Sequence, residues 1–261
     1  AYLTNSDNKN WRNANTLTYE NKKLFNGRDR INAMIGHEVS TSQDTKKYVT
    51  AVDFSKDATT KEILAALGNG TALPTSTYIG IKDNLLSFFG RANYTMMDKY
   101  LFTFTMRADG SSKFAKGNQW GYFPSGAVAW RIFDEPFMNN TKEWLSNLKV
   151  RASYGTSGNN RIPSGSMYTT YSVAGTSDKG IYFDETTAIV LKHGNVLSNP
   201  SLKWETTISR NAGIDFGFFN NRLSGAIDVY WNTTKDLLMK TTIASSSGYS
   251  YQYKNMGQTS N

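Results

Sequence analysis

The side chains that could do chemistry are few and widely spaced. Three carboxylates, Glu205, Asp215 and Asp228, fall on one side of two alternating segments, a placement that would permit paired acid and base work of the glycosidase kind. Four arginines, Arg91, Arg107, Arg131 and Arg151, fall on the same side, so the carboxylates read more simply as half of a balanced charged surface. His37 and His193 are the only imidazoles, and neither stands in HExxH or another metal spacing, so no catalytic residue and no metal ligand is assigned. Gly68-Asn69-Gly70 follows a helix rather than linking a strand to one, and there is no P-loop, so no cofactor is expected. Asp109-Gly110-Ser111-Ser112 opens a loop with too few oxygen ligands at EF-hand spacing to argue for calcium.

A second group of residues gathers in one long link. Asn159, Asn160, Arg161, Tyr168, Tyr171, Tyr182 and Phe183 form a candidate ligand-facing loop. Its rings either stack on sugars or pack the loop on itself, and Gly158-Asn159-Asn160 sets a turn.

What must position these residues is bounded by composition. With 261 residues, 39% hydrophobic and 19% charged, the chain can bury a core and is not a disordered tail. No stretch approaches the roughly 18 apolar residues of a membrane helix, whereas a β-barrel span needs only about 10 alternating residues per strand. The 29 Lys and Arg against 21 Asp and Glu give a charge of +8, but pairs such as Lys22-Lys23 and Lys46-Lys47 are scattered in polar stretches, so no nucleic-acid partner is expected. Cysteine is absent, which removes disulfides and thiol chemistry. Ala1-Tyr2-Leu3-Thr4 carries no secretion-signal pattern, and the chain stops as a further segment begins, which predicts an excised piece.

Period-two alternation dominates and predicts eight strands. The first is weak, around Ala14 to Tyr19. The second, Ile31 to Val39, sets Ile31, Ala33, Ile35 and Val39 against Asn32, Met34, Gly36 and Glu38. Others run Leu85 to Thr95, Tyr100 to Asp109, Trp120 to Arg131 and around Leu148 to Gly155. The last two, Leu202 to Phe216 and Leu223 to Trp231, flank an Asn220-Asn221 turn. Arg210 falls on the apolar face, which calls for a bulge or a snorkelling guanidinium. Short links alternate with long ones at 40–84, 157–201 and 232 onward, as when all long loops leave one side of an outer-membrane barrel; the 110–119 link is intermediate. A helix near Thr60 to Leu67 is predicted from the Thr59/Glu62 capping box, with Gly68 as its stop.

Such alternation fits a soluble carbohydrate-binding β-sandwich, whose apolar face is a core, or a transmembrane barrel, whose apolar face meets lipid. The aromatic residues separate the two. Trp120, Tyr122, Trp204 and Trp231 lie towards the long-loop ends of the strands, and Tyr94, Tyr100, Trp130 and Phe216 towards the short-turn ends, with Phe88, Phe102 and Phe104 also on the apolar face, which would meet lipid. Two aromatic bands fit two membrane interfaces. The expectation is therefore an all-β, antiparallel transmembrane barrel segment. Phe104 and the two bands would face lipid, while Arg91, Arg107, Arg131, Arg151, Glu205, Asp215 and Asp228 would face the lumen.

Several blocks carry a family resemblance: Arg107-Ala108-Asp109-Gly110-Ser111-Ser112-Lys113-Phe114, Trp120-Gly121-Tyr122-Phe123-Pro124-Ser125, Leu148-Lys149-Val150-Arg151-Ala152-Ser153-Tyr154-Gly155, Asn199-Pro200-Ser201-Leu202-Lys203-Trp204-Glu205 and Asp228-Val229-Tyr230-Trp231-Asn232. In this order they resemble the barrel of SusC/RagA-type TonB-dependent outer-membrane transporters of Bacteroidetes, over about two thirds of the chain. The resemblance implies an interior portion, residues 1–261, of one plugged barrel of about 22 strands, without the plug, the TonB-contacting segment or the last strands. It further implies no enzymatic activity, long extracellular loops at 40–84 and 157–201, and import of an oligosaccharide or peptide. The implied partners are a SusD-like surface lipoprotein, the TonB complex through the missing N-terminal part, and outer-membrane lipid.

Overall fold

The computed structural model describes residues 2–25, 27–54, 59–173 and 191–261. Its strands in chain order are β1 (Tyr2–Leu24), β2 (Asp29–Val52), β3 (Thr71–Ala72), β4 (Ser76–Ile79), β5 (Asp83–Met96), β6 (Tyr100–Ser111), β7 (Trp120–Arg131) and β8 (Leu145–Asn159). There follow β9 (Tyr171–Val173), β10 (Leu191–His193), β11 (Val196–Leu197), β12 (Glu205–Phe218), β13 (Leu223–Lys235), β14 (Leu238–Thr242), β15 (Tyr251–Asn255) and β16 (Gln258–Ser260). A helix, α1 (Thr60–Ala65), lies between β2 and β3. The wall is one antiparallel meander ordered β1-β2-β5-β6-β7-β8-β12-β13-β16, and it is not closed on itself. On its loop side β3 and β4 add to β2, β9 pairs with β10, and β15 pairs with β11 and β14. No helix is long and apolar enough to cross a membrane among the described residues.

Register brings the alternation of each strand into common rows, because directly opposed residues share a face. Ile31, Tyr94, Phe102, Val128, Ala152, Ala212 and Val229 form one row across β2 to β13. One residue along, Asn32, Asn93, Thr103, Ala127, Ser153, Asn211 and Tyr230 form a row on the other face. The apolar face is open: Phe104 is 58% exposed, Ile227 61% and Val229 59%. A sandwich would bury these side chains under a second sheet, so the sandwich alternative fails on this observation.

Turns confirm the alternation of links. Met97 and Asp98 take left-handed backbone angles between β5 and β6, as do Phe219, Asn220 and Asn221 between β12 and β13. Such angles match the twist of paired strands in a tight hairpin. β1 and β2 are far longer than the sequence pattern marks, at 23 and 24 residues. Their outer halves are polar on both faces, as at Asn8, Lys9, Lys46 and Lys47, so the ladder continues where the hydropathy signal stops. The 40–84 link therefore opens as strand up to Val52. The capping box at Thr59 and Glu62 is present, but α1 ends at Ala65 and Gly68 sits in a following 3-10 turn, so Ala66 rather than Gly68 caps it. No side chain of α1 is buried.

The core is a small apolar cluster of Phe114, Phe123, Ile162, Leu202 and Trp204, with Leu85, Leu238 and Tyr253 packed against it. Trp204 is the one predicted girdle residue that the structure moves. It precedes β12, so strand alternation does not govern it; only 9% exposed, it packs on Phe114 and Phe123, and its Nε1 donates to the Gln119 carbonyl at 2.9 Å. Two glycines make the room. A Cβ on Gly158 would stand 2.0 Å from Phe123 Cζ, and one on Gly121 would stand 2.5 Å from the same atom. Gly158→Val should therefore overpack this cluster at a cost of about 1–3 kcal/mol. The expected result is a lower thermal midpoint and red-shifted tryptophan emission for the intact protein in detergent.

Candidate functional site

The loop-side end of the wall is a layer of interlocked segments. Asn84 and Ser112 exchange hydrogen bonds, the Asn84 N–H donating to Ser112 Oγ and the Ser112 N–H to the Asn84 carbonyl. The Asn199 amide donates to the Tyr253 carbonyl at 2.8 Å, and the Asn255 amide to Lys203 and Asp236 carbonyls. This layer divides the candidate loop residues into two groups. Asn159 Nδ2 donates to Glu205 Oε1 at 3.0 Å and Asn160 Nδ2 to Ser111 Oγ at 3.1 Å, so both hold the loop to the wall. Arg161, Tyr168 and Tyr171 stand exposed, with Tyr168 at 56% and Tyr171 at 66%. Tyr182 and Phe183 lie outside the described residues.

The polar face carries the predicted charges, most of them in separate local clusters. Arg107 Nε donates to both oxygens of Asp109, at 2.8 and 2.9 Å, and Nη2 to the buried Ser87 hydroxyl, while the guanidinium lies over the Phe89 ring. Asp109 is thus consumed by an arginine rather than left open to a cation. Arg151 crosses Gly213 to reach Asp228 at 2.8 Å and also binds Asp215 at 3.2 Å. The crossing needs glycine, since a Cβ on Gly213 would stand 2.6 Å from Asp228 Oδ1 and 3.0 Å from Arg151 Cζ. Arg131 pairs with Asp134 at 3.0 Å. Arg91 is exposed and donates only weakly, to Thr105 Oγ1 at 3.4 Å.

Acid and base chemistry has no seat among these groups. Glu205 accepts from Asn159 and from the Leu238 N–H, and ten positions of β12, about 33 Å of strand, separate it from Asp215. A glycosidase pair stands within about 10 Å. Asp215 and Asp228 share one guanidinium and serve as its counter-ions. The His37 ring lies 3.4 Å from the Asn15 amide, and His193 packs on Tyr249 at 4.3 Å.

On the apolar face the predicted bands pair ring to ring across strands. Phe88 stacks with Trp120, Tyr94 with Phe102, and Tyr100 with Trp130, at centroid distances of 6.2, 6.4 and 6.2 Å. Tyr122 and Trp231 are exposed on the same face.

A family profile described as TonB dependent receptor-like, β-barrel, matches residues 1–261. The chain belongs to this family. It is 35% identical to TonB-dependent receptor P26 of Formosa agariphila, over 100% of this chain and 25% of that protein. It is 39% identical to TonB-dependent receptor SusC of Bacteroides thetaiotaomicron, over 72% of this chain and 19% of that one. Among solved structures it superposes on the RagAB peptide transporter with a TM-score of 0.75 and 25% identity, covering 99% of this chain and 27% of the other. The chain thus spans about a quarter of the length of the relatives it matches. These similarities make it a SusC/RagA-type member, with the fold of part of an outer-membrane β-barrel of a Gram-negative bacterium.

Two features of this TonB-dependent barrel wall escape the sequence pattern. Lys149 adds to the polar network, its Nζ 2.6 Å from Asp215 Oδ2, a partner that only register reveals. Glu135 anchors the short-turn rim from an extended position between two 3-10 turns: Lys99 Nζ donates to Oε2 at 2.9 Å, and Tyr100 Oη and Trp130 Nε1 donate to Oε1 at 2.7 and 3.0 Å. These donors hold its carboxyl well below the usual range, at about 2, the Tyr100 hydroxyl foremost and Lys99 next. Because the folded state favours the ionised form, the stabilisation is complete above the ordinary value of 4.5 and is lost as pH falls from there towards 2. The thermal midpoint of Glu135→Gln should lie below that of the unsubstituted protein by a constant gap above pH 4.5, and this gap should close between 4.5 and 2.

Proposed function

We propose that the chain supplies wall, lumen lining and substrate-facing loops to an outer-membrane importer of oligosaccharides or peptides. The carrying observation is the open apolar face set against a polar face that carries clusters of ion pairs: in a barrel wall the first meets lipid and the second lines the lumen. On this reading Phe104, the paired rings, Tyr122 and Trp231 face lipid, while Arg91, Arg107, Arg131, Arg151, Glu205, Asp215 and Asp228 face the passage. The residues of 40–84 and 157–201 that reach the loop side form the extracellular surface, and Tyr168 and Tyr171 offer flat apolar rings to a ligand.

The relatives' names support the cargo class, one being called a peptide transporter and another SusC. They also support a SusD-like surface lipoprotein over the loops and a TonB complex reached through a part of the protein outside this chain.

Phe104→Arg tests the face assignment. It should cost about 2–4 kcal/mol near the bilayer midplane and sharply reduce the heat-modifiable, folded form in outer membranes; normal assembly would count against lipid contact. Replacing Tyr168 and Tyr171 together by Ala tests the loop. About 1 kcal/mol per ring predicts a loss of roughly tenfold or more in affinity for the imported oligosaccharide or peptide, measured by calorimetry on the purified importer.

A further inference from the structure

Arg210 is a charge on the apolar face that no carboxylate pairs among the described residues. By register it belongs to the apolar row of Ala33, Ala92, Phe104, Gly126, Tyr154 and Trp231. The β8–β12–β13 ladder runs unbroken past it, so no bulge turns it away; the shift in β12 comes later, between Gly217 and Phe218. Its guanidinium instead lies 5.8 Å from the Tyr154 ring centroid, and Nη1 reaches Thr233 Oγ1 at 3.4 Å. It makes no ion pair among the described residues, unlike Arg107, Arg131 and Arg151 on the polar face.

Its height says what it meets. From the short-turn end, Phe218, Phe216, Ile214 and Ala212 precede it on the same face, eight residues in all. That is about 26 Å of strand, or roughly 20 Å of rise at a barrel tilt of about 40°, within an apolar band about 25 Å tall. Arg210 therefore stands at the loop-side margin of the band, between the interfacial rings of Tyr154 and Trp231, at the level of lipid head groups. Beside it an apolar groove of about 560 Å³ runs over β7 and β8. Phe104 and Tyr154 form its walls and Gly126, Val128 and Ala152 its floor, so Tyr154 joins the groove to the cation.

A guanidinium without an ion pair among the described residues, one tyrosine ring away from an apolar groove, is complementary to one kind of molecule, an amphiphile with an anionic head. We propose that Arg210, Tyr154, Thr233 and the groove over Gly126 bind a phosphate-bearing lipid of the outer leaflet, the phosphate on the guanidinium and one acyl chain along the groove. The proposal rests on the lipid-facing reading of this face.

The test uses the intact outer-membrane protein in nanodiscs containing equal amounts of phosphatidic acid and diacylglycerol with matched chains, and counts retained lipids by native mass spectrometry. The unsubstituted protein should hold phosphatidic acid in preference to diacylglycerol. Arg210→Gln should lower that preference about tenfold, and Arg210→Lys should restore part of it. Gly126→Phe fills the groove without backbone strain, since a Cβ there meets only the Thr103 carbonyl at 3.8 Å, and it should reduce retention while leaving Arg210 in place. An unchanged preference in Arg210→Gln overturns the site, as does a change in oligomeric state with Gly126→Phe and no change in lipid, which would mark the groove as a contact between copies. Failure of the lipid-facing reading looks different: neither lipid is retained and Phe104→Arg assembles normally.

Discussion

In hydrocarbon a peptide N–H or C=O without a partner costs several kcal/mol, and strands can meet that demand only by pairing with neighbours along their whole length. Everything else in this wall depends on that constraint. Once β2 through β13 pair in an unbroken antiparallel ladder, each residue's face is set by parity, and the rows of Ile31 and Asn32 separate into two surfaces of opposite character. The side chains then adapt to the ladder. Glycines stand where two large groups must share one spot, as Gly213 does beneath Arg151 and Gly158 beside Phe123.

The two ends of the ladder are finished by different chemistry. At the short-turn end, left-handed residues such as Asp98 and Asn220 reverse the chain, and one carboxylate, Glu135, gathers the polar edges of Tyr100 and Trp130. Those rings keep their apolar bodies on the exposed face while their polar atoms are satisfied, the arrangement amphipathic rings favour at an interface. At the loop end the chain folds over the wall and builds a core of its own around Trp204, Phe114 and Leu202. Fixed asparagines and exposed tyrosines then coexist in one loop because the asparagines bind the wall and the tyrosines project beyond it.

The sequence reveals most where two environments differ. β7 is legible because one of its faces is largely apolar and the other largely polar, and its bounds of Trp120 and Arg131 are those the alternation predicts. Beyond the apolar band both faces of β1 and β2 meet water, so backbone pairing extends them with no trace in hydropathy. Trp204 is misread for a related reason: it looks like the next step of a strand pattern, but the strand begins one residue later and a loop carries the ring inward. Lys149 and Glu135 are illegible because their partners lie 66 and 36 positions away, across register that local spacing does not encode.

The arginines show how position alone divides one chemistry into two uses. On the polar face each paired guanidinium meets a carboxylate supplied by its own or a neighbouring strand or turn. Paired in this way, a guanidinium is already satisfied and has little to offer a passing ligand. Arg210 differs by parity and not by type. On the apolar rows its own strand offers Ala212 and the neighbouring strands Trp231 and Tyr154, but no acid, so a ring face and one hydroxyl are what the described residues supply. If that face meets lipid as proposed, such a charge at the margin of the bilayer is completed from outside the polypeptide, and lipid head groups are the anions within its reach.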